Sequence, residues 1–117
     1  MPLQRLGVTA RYADIVTHNG TLYTVEVPTS ENGDIHTQIN ELLTSLEGLL
    51  TRGGSSKGQL LMATIYLVDM ADYDALNQAW EAWLPPGAAP CRACVQVARL
   101  AKPGWRVEIA VTAACQG

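Results

Sequence analysis

Cys91-Arg92-Ala93-Cys94-Val95-Gln96-Val97-Ala98-Arg99-Leu100, followed beyond Lys102-Pro103-Gly104 by Trp105-Arg106-Val107-Glu108-Ile109-Ala110-Val111-Thr112-Ala113-Ala114, decides the fold. Each half alternates apolar and polar residues at period two, and Lys-Pro-Gly is turn chemistry, so the pair reads as a β-hairpin. Ala93, Val95 and Val97 then share the core face of the first strand, opposite Arg92, Cys94 and Gln96. On the second strand Trp105, Val107, Ile109 and Val111 face the core, opposite Arg106, Glu108, Ala110 and Thr112. Arg92 and Glu108 are thus expected together on the face turned away from the core, each in a weakly charged segment.

A chain of 117 residues is one domain, 1–117, with room for a single core. Its apolar fraction is 48% against only 16% charged residues, which implies buried surface beyond one small core. A net charge of −3 without any Lys/Arg run leaves no footprint for nucleic acid or anionic lipid. No run approaches a membrane span, and Met-Pro-Leu-Gln-Arg-Leu has no apolar leader core. The expectation is a cytoplasmic protein whose three cysteines are free thiols.

From the N-terminus, Asp14–His18 and Thr21–Val27 flank Asn19-Gly20, the strongest short hairpin signal. Pro28 ends that strand, and Asp34 is poised to cap a helix in which Ile35, Ile39, Leu42, Leu43, Leu46, Leu49 and Leu50 recur at helical spacing. Gly53-Gly54 stops it with a left-handed cap. Gln59–Val68 is an apolar strand covered on both faces. Asp72 is an N-cap for a second helix with Tyr73, Leu76, Trp80, Trp83 and Leu84 in one stripe, closed by Pro85-Pro86-Gly87. The order ββ-α-β-α-ββ makes an α+β fold of two layers, both helices lying on one face of the sheet. Its other face carries apolar side chains whose exposure costs about 25 cal/mol per Å², so an oligomer, most simply a closed ring, is expected to cover it.

Asn19-Gly20-Thr21-Leu22-Tyr23, Ala63 through Tyr73, Leu76-Asn77-Gln78-Ala79-Trp80, Pro90-Cys91-Arg92-Ala93-Cys94-Val95 and Val107-Glu108-Ile109 resemble the RidA (YjgF) family of reactive-intermediate deaminases over nearly the whole chain. The sharpest match is Pro-x-Arg-x-Cys-Val followed by Val-Glu-Ile. The resemblance implies a chorismate-mutase-like fold with a mixed sheet, and a homotrimer with sites in the clefts between subunits. It also implies hydrolysis of 2-imino and enamine acids to 2-keto acids and ammonia, without metal or organic cofactor.

On that resemblance Arg92 binds the substrate carboxylate through its planar fork, and Glu108 positions or deprotonates the attacking water. Cys94, Asn77 and Tyr12 line the pocket. Family members with established activity carry a Ser-Gly pair at the end of the second strand. Here those positions fall on Val25-Glu26 counted from Tyr12, or on Thr24-Val25 counted from Pro28, and either way the glycine is gone. Thr24 and Val25 are therefore expected in the substrate pocket, and an inward Glu26 would repel an anion.

Three residues apart on a strand, Cys91 and Cys94 point to opposite faces, which disfavours a thioredoxin-like or zinc role. His18 and His36 read as solvated, and Trp80 and Trp83 as packing. A second function fits the same residues, a non-catalytic trimer whose cleft binds a small carboxylate metabolite or a protein partner.

Overall fold

A computed structural model describes residues 2–116. It runs β1 (Gln4–Leu6), β2 (Ile15–His18), β3 (Thr21–Glu26), α1 (Ile35–Arg52), β4 (Leu60–Leu67), α2 (Tyr73–Trp83), β5 (Cys91–Gln96) and β6 (Val107–Ala114). The six strands form one mixed sheet in the order β1-β2-β3-β6-β4-β5, antiparallel except for the parallel pair β4 and β5. Both helices pack on one face, as the α+β reading expects, with a short first strand added. β1 has no sequence signal because it is three exposed residues long, joined to the sheet by its ladder to β2.

Asn19 and Gly20 both take positive φ, 51° and 77°, the backbone that a two-residue turn between β2 and β3 demands. Asp34 caps α1, its Oδ1 accepting from the Thr37 amide at 2.8 Å. Seven side chains of α1, from Ile35 to Leu50, are buried against the sheet. The helix ends at Gly53, and Gly54 takes the left-handed φ of 81°. Leu76 and Trp80 of α2 are buried, and Trp83 tilts against Trp80 with ring centroids 5.6 Å apart. Asp72 does not cap α2. A 3-10 turn, Met70–Asp72, precedes the helix and is capped by Asp69, which leaves the Asp72 carboxylate to bind Arg106 through two bonds of 3.0 and 3.1 Å.

The expected hairpin between the last two strands does not form, because β4 lies between them. Lys102-Pro103-Gly104-Trp105 does make a turn, with the Trp105 amide donating to the Lys102 carbonyl at 3.1 Å, but it sits inside a longer connection. β6 has Val107, Ile109, Val111 and Ala113 all buried and takes the centre of the sheet between β3 and β4. β5 has little to bury and is left at the edge, where α2 supplies the crossover that a parallel pair requires.

Gln38 holds the long connection to α1. The buried amide donates to the carbonyls of Gly33 at 3.1 Å and Gly104 at 2.8 Å, and its oxygen accepts from the Arg106 amide at 2.8 Å. Gln38→Leu keeps the volume and strands these backbone groups, so chemical denaturation should show a loss of about 2–4 kcal/mol.

Candidate functional site

Register decides where each candidate points. In the parallel ladder Arg92 lies beside Ala63 and Cys94 beside Ile65, and both β4 residues are buried under the helices. Arg92 and Cys94 therefore face the helix layer, while Ala93 and Val95 face the uncovered side, where Val95 is 43% exposed. This inverts the expectation for β5. A short edge strand has no deep core to enforce alternation, so the polar Arg92 takes the helix side, at the rim beside Tyr73 of α2.

At that rim the Arg92 Nη2 donates to the Tyr73 hydroxyl at 3.2 Å, and the guanidinium carbon stands 5.7 Å from the Tyr73 ring centroid. Asn77, half-buried, lies one helical turn beyond Tyr73 on the same face of α2. Cys94 packs against the core two residues along from Arg92. Burial pushes its thiol above the usual value, and the Arg92 charge pulls the other way more weakly. No carboxylate lies within ion-pair distance of Arg92 among the described residues, in contrast to Arg106 on Asp72.

Glu108 stands on the other side of the sheet, opposite Tyr66. It is half-buried, forms no ion pair among the described residues, and burial alone raises its carboxyl pKa above the ordinary 4.5. β4 and the sheet itself separate it from Arg92, at about 10 Å along the strands and about 10 Å across two strand spacings. Within one chain the two do not meet.

The remaining candidates divide in the same way. Val25, 53% exposed and paired with Ala110, lies on the Glu108 face and lines a shallow depression of about 220 Å³ with Tyr23, Met62, Thr64 and Thr112. Thr24 turns inward and is buried, its hydroxyl donating to the Asp14 carbonyl at 2.7 Å. Glu26 shares the inward side and its Oε1 accepts from the Val27 amide at 3.0 Å, so it does not face Val25's depression. Burial raises the Glu26 carboxyl pKa, and nearby Asp14 adds to the rise. Tyr12 is 64% exposed in the loop before β2, next to neither group. Spacing alone puts Tyr73 in the apolar stripe of α2, yet its hydroxyl meets Arg92. The sequence signal for its contact with Arg92 is a phenol four residues before Asn77 on a helix beside the Arg92 strand.

Among the described residues no cluster of three or more His, Cys, Asp or Glu could hold a metal ion, and no helix is long and apolar enough to cross a membrane. His18 and His36 are exposed.

Residues 2–115 match the family model described as Endoribonuclease L-PSP. The chain belongs to this family, also known as YjgF or RidA. Among RidA-family relatives, the RutC family protein YoaB of Escherichia coli (strain K12) is 41% identical over 114 residues, covering 97% of this chain and 99% of its own. A protein of Acinetobacter baylyi named 3-aminoacrylate deaminase RutC is 37% identical over 81 residues, 69% of this chain and 63% of its own length. The crystal structure of a YjgF family member from Neisseria meningitidis superposes with a TM-score of 0.92 at 39% identity, covering 100% of this chain and 98% of that one.

Proposed function

We propose that this RidA-family protein hydrolyses 2-imino and enamine acids to 2-keto acids and ammonia, at sites formed where two copies of the chain meet. The carrying observation is the pair of uncommitted charges: Arg92 without a carboxylate at the helix-side rim, and Glu108 half-buried without a cation on the opposite face. Desolvating an unpaired carboxylate costs free energy that packing alone does not return. Packing the rim of one copy against the sheet face of another brings the two groups to one cleft. It also covers the apolar face on which Tyr23, Val25, Met62 and Val95 are exposed by 39–53%, at about 25 cal/mol gained per Å². A ring of three such contacts closes with none left over.

In that cleft the Arg92 fork binds the substrate carboxylate with two charge-assisted bonds, and Cys94 and Asn77 line its floor. The ionised Glu108 takes a proton from water as the oxygen adds to the imine carbon. Glu108 returns that proton to the imine nitrogen to give the neutral carbinolamine. As its C–N bond breaks, the hydroxyl proton passes to nitrogen, which leaves as ammonia while the carbonyl of the 2-keto acid forms. An enamine enters the same path after tautomerising to its imine by a proton gained at the β-carbon and one lost from nitrogen. Imines hydrolyse readily unaided, so positioning and modest electrostatic help suffice. The residues named bring no metal or organic cofactor into this scheme. The name of the Acinetobacter relative, 3-aminoacrylate deaminase, supports deamination of an enamine acid; its 3-amino substrate yields a 3-oxo acid, so the 2-imino preference rests on the family resemblance. A ribonuclease role finds no support in a chain of net charge −3 without a basic run.

The test follows 2-aminoacrylate and bulkier 2-imino acids as they decay with and without the protein, in the reducing, cytoplasm-like buffer expected for this chain. Accelerated decay with ammonia release is the expected result, together with a solution mass three times the 12.6 kDa of one chain. A monomer, or decay at the spontaneous rate, overturns the proposal.

One observation favours the second reading, carboxylate binding without turnover. Val25 projects a branched side chain onto the open face at a position the resemblance aligns with a glycine-containing pair, which narrows the space there. If binding is the function, a stable 2-keto acid raises the melting temperature while imine decay stays at the spontaneous rate.

A further inference from the structure

Among the described residues the Tyr73 hydroxyl has one hydrogen-bond partner, Arg92, a group the proposed site uses. Its oxygen accepts from Arg92 Nη2 at 3.2 Å, and among the described residues no bond is made by its own proton. A phenol both accepts and donates. An arginine fork carries five N–H groups, so the one given to Tyr73 leaves enough for two parallel bonds to a carboxylate. The ring beside the guanidinium, 5.7 Å from carbon to centroid, restricts the fork, which a half-exposed side chain on a three-carbon stem at a strand edge would otherwise vary. The hydroxyl stands beside the fork with its proton uncommitted, where a bound carboxylate oxygen can accept it.

We infer that Tyr73 is part of the anion clamp: its ring and oxygen aim Arg92, and its O–H donates a further hydrogen bond to the substrate carboxylate. The inference rests on the reading that Arg92 binds that carboxylate. Tyr73 thereby sets specificity for acids over neutral imines and leaves the water-activating step on Glu108 unaffected. A phenylalanine in its place keeps the ring and the stack and loses both roles of the oxygen.

The test compares wild type, Tyr73→Phe and Tyr73→Leu in steady-state hydrolysis of a 2-imino acid and of the neutral imine of its amide, and in calorimetric binding of pyruvate, a stable 2-keto acid. Tyr73→Phe should raise KM for the imino acid and weaken pyruvate about tenfold, the effect of one hydrogen bond to a charged group. Its kcat and its rate on the neutral imine should stay within about twofold of wild type, because only the carboxylate contact changes. Tyr73→Leu should lose more on the acid, since the stack goes too. An unchanged KM and pyruvate affinity in Tyr73→Phe overturns the inference while leaving the hydrolase proposal standing, and so does an equal loss on acid and neutral imine, the mark of a merely structural role. If wild type hydrolyses no imine but binds pyruvate in a Tyr73-hydroxyl-dependent way, the clamp stands and the hydrolase proposal falls. If wild type neither hydrolyses imines nor binds pyruvate, both fall.

Discussion

Replacing Arg92 by alanine is expected to lower kcat/KM for 2-imino acids by about 10²–10³-fold, the combined worth of two charge-assisted hydrogen bonds to a carboxylate. Most of the loss belongs in KM, because the carboxylate is held alike in ground and transition states. The fold should survive. Arg92 is half-exposed at an edge strand, and among the described residues its one side-chain hydrogen bond and its cation–π contact both go to Tyr73, itself at the surface, so no buried polar partner is stranded by its removal. Arg92→Lys keeps the charge but offers a point donor without the planar fork, and should recover only part of the affinity. Steady-state kinetics alongside a solution mass measurement separates these effects: a variant that assembles like wild type and keeps its KM would remove the guanidinium from the site.

Glu108→Gln should do the opposite, holding carboxylate affinity near wild type while lowering kcat by about 10²–10⁴-fold, the usual scale for a lost general base. The pH profile carries a sharper signature. Burial raises the Glu108 carboxyl above 4.5, and the base works only when ionised, so kcat should climb with pH through a window lying above 4.5 and then level off. The glutamine variant should lack that limb. Stability runs the other way across the same window. The folded chain holds the Glu108 proton to higher pH than the unfolded chain, so its contribution is fully present below 4.5 and is lost as pH rises through the folded value. Glu108→Gln should flatten that decline in a denaturation series taken from pH 4 upward. An acid limb that persists in the variant would assign the titration to another group, of which half-buried Glu26 is the first to examine.

The helices and the first hairpin were legible because their signals are local. Asp34 caps where a capping side chain should, α1 buries its leucine stripe, and Asn19-Gly20 turns with two positive φ angles. The last two strands were found as strands but joined wrongly. Alternation tells which residues share a face; it does not tell which strand lies alongside, and Pro103-Gly104 offered a turn that the chain uses for a different purpose. The face of β6 was read correctly because its inward residues are all deeply buried, whereas β5, with Cys91, Val95 and Gln96 exposed, had too little burial for its pattern to decide. Asp72 shows the same limit on the polar side. Its position before α2 suits a cap, yet Arg106, distant in sequence, arrives beside it and takes the carboxylate. The resemblance named Arg92, Cys94, Asn77 and Glu108, but neither it nor the spacing revealed that the first three stand on one side of the sheet and the fourth on the other.

The strand between β5 and β6 acts as a partition. Arg92, proposed to recognise the anion, stands on a peripheral strand and Glu108, proposed to handle the proton, on a central one, and the two strands share no ladder of their own. Residues so far apart, without common partners, contribute independently to the stability of a fold. If the proposed roles hold, substitutions at the rim can therefore change which acid is recognised without unsettling the strand that carries Glu108.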